Sequence, residues 1–248
     1  VGDVAILEYL LDVVGMDIEG FNRRSETPLF VAAEAGNTEA VRFLLERGAN
    51  VGAQTTSFQR DPDPRARFRN RNGVHRIAKD LTPLHAAALG CHVEVVRLLL
   101  ESGAEVDAID STGNTPLLRL YRMYAIGYEE SSIEAARLLL EYRANVNHVG
   151  AEFLTLLHRA VAQSNHNMAC LLMEYGARAD ISDNKGQTAF DYALNKEDQD
   201  MVDILRGVER EPVSCTWTDD VDLVGGIAGL AAYFFMFHYG WLEGVSML

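Results

Sequence analysis

LTPLHAAALG occupies residues 81–90, and the phrase has four echoes: ETPLFVAAEAG at 26–36, NTPLLRLYR at 114–122, LTLLHRAV at 154–161 and QTAFDYAL at 187–194. Aligned on their threonines, Thr27, Thr82, Thr115, Thr155 and Thr188 stand 55, 33, 40 and 33 residues apart. A period of 33 with extra lengths of 22 and 7 marks a stack of small units, none of which can bury its own apolar face.

Each unit carries its own start and stop signals. Thr27, Thr82 and Thr115 precede Pro28, Pro83 and Pro116, the pattern of a hydroxyl N-cap followed by a proline at the first helical position, where no N–H is missed. Ala32, Ala33, Ala87 and Ala88 let this short helix approach its neighbours closely, and a second helix follows with Val95, Leu98 and Leu99 spaced as a buried stripe. Gly48, Gly103 and Gly176, in ERGAN, ESGAE and EYGAR, stand where a left-handed residue closes the second helix. Arg143 fills that slot in EYRAN, at an expected cost of about 1 kcal/mol against glycine.

These residues resemble the ankyrin repeat, whose signature runs through Thr-Pro-Leu-His, Ala-Ala, a glycine, a Leu-Leu pair and Gly-Ala. Residues 82–104 follow it nearly throughout, with Cys91 in the usual glycine slot, and the resemblance covers about residues 2–206 as one partial and five fuller units. Leu156 replaces the proline, Phe30, Leu118 and Asp191 replace the histidine, and QTAFDYAL looks like the family's more polar terminal unit. The resemblance implies an all-α fold: a helix-turn-helix solenoid with projecting β-hairpin turns, here followed by a C-terminal apolar helix. In the family the signature histidine tethers neighbouring turns, so structural roles are expected for His85 and His158.

The same resemblance implies a non-catalytic scaffold or adaptor that binds an unidentified protein partner through its concave surface, without a cofactor. Carried over slot by slot, the contact positions are Arg23, Arg24, Glu26 and Glu34, then Lys79, Leu81 and Leu89. Ser111, Thr112 and Asn114 follow, then Glu152, Leu154 and Gln163, and last Asn184, Lys185, Gln187 and Lys196. Gly150 and Phe153 take the usual Asp and Gly slots, so a rebuilt tip is expected there.

The two extra lengths and the tail stand apart. Seven extra residues around Tyr121, Tyr124 and Tyr128 lengthen the third unit's helices or their loop. The 22-residue excess, a basic insertion at about 54–79, contains Asn72-Gly73, a strong hairpin signal, and an extended chain there would set Arg65, Arg67, Arg69 and Arg71 on one side, with Arg76 beyond. Such a ribbon suits phosphate or carboxylate, which makes binding of an anionic ligand or nucleic acid through residues 60–79 the alternative function, while the plainer reading is a solvated loop or one folded onto the array's own acidic surface. An acidic linker at 208–222 leads to residues 223–242, which lack Asp, Glu, Lys and Arg and suit a transmembrane span, a cap on the array or an intermolecular contact.

Composition narrows the classes. With 48% apolar and 23% charged residues the chain is a folded protein, and a net charge of −14 argues against nucleic acid wrapped over its surface. Cys91, Cys170 and Cys215 form no close pair and no ligand spacing, which points to a reducing intracellular setting, cytoplasmic or membrane-associated. No nucleophile-elbow, zinc-protease, phosphate-loop or dinucleotide motif occurs, and the seven histidines form no metal-ligand set, so neither an enzyme nor a metal is expected.

Overall fold

The computed structural model describes residues 2–55, 79–120, 129–150 and 153–207. The Arg-rich insertion, the three tyrosines, Glu152 and the segment 223–242 lie outside the described residues. The described residues all belong to one compact unit. Among the described residues no helix is long and apolar enough to cross a membrane.

Eleven helices are described. α1 (Gly2–Glu8) runs into a π-helical turn, Tyr9–Val13. Five pairs follow: α2 (Pro28–Glu34) with α3 (Thr38–Glu46), α4 (Pro83–Leu89) with α5 (Val93–Glu101), and α6 (Pro116–Arg119) with α7 (Glu129–Glu141). α8 (Leu156–Ala162) pairs with α9 (His166–Glu174), and α10 (Ala189–Asn195) with α11 (Gln199–Leu205). The first helices form one row, in which α2 packs on α4, α4 on α6 and α8 on α10; the second helices form the other, from α1 through α3, α5, α7 and α9 to α11.

The repeated phrase acts as foreseen. In all five pairs the threonine side chain accepts a hydrogen bond from the N–H three residues on, between Phe30 and Thr27 at 3.2 Å and between His158 and Thr155 at 3.4 Å, for example. This satisfies one of the donors that a helix start leaves unpaired. His85 and His158 return the bond, since Nδ1 accepts from the Thr82 and Thr155 N–H groups at 3.2 and 3.3 Å. Asp191 does the same for Thr188 at 2.8 Å, so a carboxylate replaces the imidazole without loss of the reciprocal cap. Phe30 and Leu118 offer no acceptor and pack into the core instead.

The core is continuous from layer to layer and built from alanine and leucine. Ala33, Ala87, Ala88, Leu44, Leu99, Leu139, Leu157 and Leu172 are fully buried. The second-helix stripe departs from expectation at Leu98, which is only half-buried; Val96 and Leu100 are buried beside Val95 and Leu99. The seven extra residues of the third unit lengthen α7 to 13 residues against nine in α3, α5 and α9, about one helical turn.

The projecting turns are tighter and less strand-like than a hairpin. Among the described residues the one β-bridge is the isolated antiparallel pair Ser182 and Thr188. Four tips close instead with a pair of backbone bonds, such as Gly113 N–H to the Asp110 carbonyl at 2.9 Å and Asp110 N–H to the Asn114 carbonyl at 3.1 Å. The tip with Gly150 and Phe153 is not rebuilt at its ends: Phe153 N–H reaches Gly150 O at 2.9 Å and Gly150 N–H reaches Leu154 O at 3.2 Å. Phe153 adopts a φ of 59°, close to that of Ser25 and Asp80 in the same slot, so the neighbouring layers impose the turn on a residue that resists it.

Candidate protein-interaction site

Three of the tips are held by their own first residue. Asn22 Oδ1 accepts from the N–H groups of Arg24 and Glu26, Asp110 Oδ1 from those of Thr112 and Asn114, and Asp183 Oδ1 from those of Lys185 and Gln187. An Asx side chain thus does the work of a second strand, which is why short loops without a ladder hold their shape.

Two of these carboxylates are buried. Asp110 also takes the Arg119 guanidinium on Oδ2, with Nε at 2.6 Å, and this ion pair is enclosed in the third layer. Asp183 accepts the Tyr192 hydroxyl at 2.8 Å. Burial alone would raise both pKa values, yet both lie below the ordinary carboxylate value. Thr112 and Arg119 outweigh burial at Asp110, and the Gln187 N–H, the Tyr192 hydroxyl and the Lys185 N–H do so at Asp183. Removing one member of the Asp110–Arg119 pair would leave a buried charge alone, so the pair fixes the geometry of its tip more than it adds stability.

The tips are also joined to one another. Lys79 N–H donates to Ser111 Oγ at 2.7 Å and Ser111 N–H to the Lys79 carbonyl at 3.0 Å, a reciprocal stitch between the second and third layers. His85, with Nδ1 occupied as an acceptor, carries its proton on Nε2 and donates to the Asn114 carbonyl at 3.1 Å, confirming a structural role for the signature histidine. His148 Nε2 meets the Gly113 carbonyl at 2.9 Å. Burial lowers the pKa of His85 and of His158, against the pull of the Asn114 and Gln187 carbonyls respectively, so both rings stay neutral in the stack.

The carried-over contact positions separate into three groups on this frame. Arg23, Arg24, Lys79, Ser111, Asn184 and Lys185 are exposed on the tips, with Glu34 and Lys196 exposed at inner-helix ends. Glu26, Leu81, Leu89, Thr112, Leu154, Gln163 and Gln187 are half-buried. Asn114 is the exception: it is 9% exposed, with its N–H on Asp110, its carbonyl on His85 and its amide donating to Thr112 Oγ1 at 2.7 Å, so it builds the tip and is closed to a partner. Lys196 is likewise engaged, through Nζ bonds to the Ala162 carbonyl at 2.6 Å and Ser164 Oγ at 3.0 Å.

The five arginines Arg65, Arg67, Arg69, Arg71 and Arg76 lie outside the described residues, but the ends of their insertion do not. Thr55 N–H donates to the Leu81 carbonyl at 2.9 Å, Asp80 N–H to the Thr55 carbonyl at 3.0 Å, and Leu81 N–H to Thr55 Oγ1 at 3.0 Å. The insertion therefore leaves and re-enters at one clamped point on the second tip.

One feature was not legible in sequence. A cavity of about 590 Å³ opens beside α2, lined by Ile6, Leu7, Met16, Phe21, Pro28, Val31, Ala32 and Ala35, among others. On α4 the matching residues, Pro83, Ala86 and Ala87, are buried, whereas Val31 of α2 is 40% exposed. The face of α2 that opens here corresponds to the one that α4 buries.

The chain matches the family model of ankyrin repeats in three copies, over residues 1–55, 65–149 and 122–212. It is 31% identical over 174 residues to the probable 26S proteasome regulatory subunit p28 of Saccharomyces cerevisiae, covering 69% of this chain and 64% of that one. It is 37% identical over 120 residues to a putative ankyrin repeat protein of Rickettsia bellii, 48% of each chain. The homolog of transient receptor potential cation channel subfamily A member 1 in Caenorhabditis elegans is 25% identical over 193 residues, 73% of this chain and 15% of the relative. The chain thus spans less than two thirds of these relatives' lengths. Repeat period, capped helix pairs and family match agree, and the chain belongs to the ankyrin repeat family.

Proposed function

We propose that this chain is a non-catalytic interaction module that binds a protein partner across its tips and inner-helix ends. Ankyrin repeat proteins generally mediate protein–protein contacts. The observation that supports this reading here is that tips of like geometry recur layer after layer, stitched by backbone and Asx bonds, and present Arg23, Arg24, Lys79, Ser111, Asn184 and Lys185 on exposed positions. Side chains on so rigid a base lose little further freedom on binding. Catalysis has no comparable support: the two best-defined histidines are buried as caps, and the Cys91 thiol is buried, with its pKa pushed up to about 11.

The test is capture of a partner from extract by the 248-residue chain and by the variant Leu89→Arg/Gln163→Arg, which alters two half-buried inner-helix ends. Capture is expected to fall at least about tenfold with the melting curve retained, as for loss of a central contact. Capture that survives the double substitution removes this face from consideration.

A further inference from the structure

The third residue of each tip, three before the capping threonine, is Arg24, Lys79, Thr112, Glu152 and Lys185 in successive layers. Arg23 stands beside Arg24, and Arg23, Arg24, Lys79 and Lys185 are exposed. Among the described residues none of these four side chains meets a carboxylate within ion-pair distance.

Most acids of the same tips are engaged within them, while Asp80 stands half-buried beside Lys79. Asp110 and Asp183 are buried and saturated by backbone N–H groups, Arg119 and Tyr192, and the Glu26 carboxylate accepts from the Asn22 amide. The outer helices are net acidic, with Glu39, Glu46, Glu94, Glu101, Glu130, Glu134 and Glu141 exposed against Arg42 and Arg137. A chain of net charge −14 has thus sorted its charge by face, and the tips of its first two layers hold three cations with nothing opposite them.

We propose that this edge is the seat of an acidic peptide segment of the partner, lying extended across the first three tips; this rests on the binding reading above. Neighbouring helices pack about 8–10 Å apart, and a chain extended as polyproline II advances about 3.1 Å per residue with three residues per turn, which sets every third side chain on one face. Carboxylates three residues apart therefore fall in step with consecutive tips, one against Arg23 and Arg24 and the next against Lys79. The stitch between Lys79 and Ser111 fixes the second and third tips by backbone atoms and the Ser111 hydroxyl, leaving the Lys79 ammonium free to turn toward the peptide. Ser111 is exposed at the third tip and its hydroxyl proton is available to a carboxylate.

The probe is a fluorescein-labelled peptide of about 12 residues with glutamate at every third position among prolines and serines, long enough at about 3.1 Å per residue to cross the three tips. Fluorescence polarisation is read against the 248-residue chain, the variant Arg24→Glu/Lys79→Glu and the outer-face control Arg42→Glu/Arg137→Glu. Expected are binding by the parent and the control, at least about tenfold weaker binding by Arg24→Glu/Lys79→Glu, and loss of affinity with added salt. Both tip substitutions are of exposed side chains whose backbone bonds remain, and an unchanged melting curve verifies the fold. No binding by the parent, equal binding by the tip variant, or equal loss in the control overturns the proposal. If Leu89→Arg/Gln163→Arg still abolishes capture in that event, the face binds a partner of other chemistry and only the acidic assignment falls.

Discussion

His85 does two jobs with one ring, and His158 shares the first of them. Nδ1 closes a helix start by accepting from the threonine N–H, and Nε2 of His85 ties that layer to the next through the Asn114 carbonyl. The capping job requires the neutral ring, because a protonated Nδ1 no longer accepts, whereas the Nε2 donation survives protonation. Burial lowers both folded pKa values below the ordinary histidine value of about 6.5. The stability tied to the neutral ring is therefore complete above pH ~6.5. It falls as the pH drops from there toward the folded pKa, because the unfolded chain takes up protons that the folded one refuses. The loss is at most about 1.4 kcal/mol per pH unit for each ring. Urea midpoints between pH 7.5 and 5 should fall accordingly, and His85→Gln/His158→Gln should flatten the slope, since glutamine at this position preserves the cap without titrating. An undiminished slope in the double variant would show that the dependence arises elsewhere.

At the scale of one element, Arg143 tests how far the stack overrules its sequence. Gly48, Gly103 and Gly176 end α3, α5 and α9 at φ of 83°, 84° and 80°, and Arg143 is held at 67° after α7. A side chain in that conformation brings Cβ close to the following carbonyl oxygen, so Arg143→Gly should stabilise the chain by about 1 kcal/mol, seen as a higher urea midpoint with unchanged slope. A midpoint equal to or below that of the parent would mean that the arginine side chain compensates through contacts of its own. This strain was legible in the sequence, as were the threonine caps at Thr27, Thr82 and Thr115, because both are local and depend on residues within a few positions of each other. What escaped depends on neighbours far along the chain. Asn114 reads as an exposed tip residue until His85, 29 positions away, claims its carbonyl, and Leu98 reads as core until the partner surface leaves it half-covered. The cavity beside α2 is invisible in sequence for the same reason, since it is defined by what lies against a helix and not by the helix.

For the molecule as a whole, a row of layers that touch only their neighbours makes stability a sum over interfaces, so position in the row decides how firmly a layer is held. α4 lies between α2 and α6, and its residues Leu84, His85, Ala86, Ala87 and Ala88 are buried. α1 and its π-helical turn touch only α3 in the outer row and leave Ile6, Tyr9, Val13, Val14, Met16 and Phe21 at least half exposed. The Asp12–Arg47 ion pair that ties the turn to α3 is exposed on both sides and is screened by solvent and salt, so it cannot replace the missing packing. Amide hydrogen exchange should therefore be graded along the chain. Residues 4–18 should exchange first, through local opening that costs a small part of the global free energy, and the buried amides of α4 and α8 last, by global unfolding. Phe21→Ser, which removes an exposed ring from the cavity wall, should leave the central layers' protection unchanged. Equal protection of residues 4–18 and α4 would show that the first layer shares the full cooperativity of the stack, and the nearest-neighbour account of its stability would then be wrong.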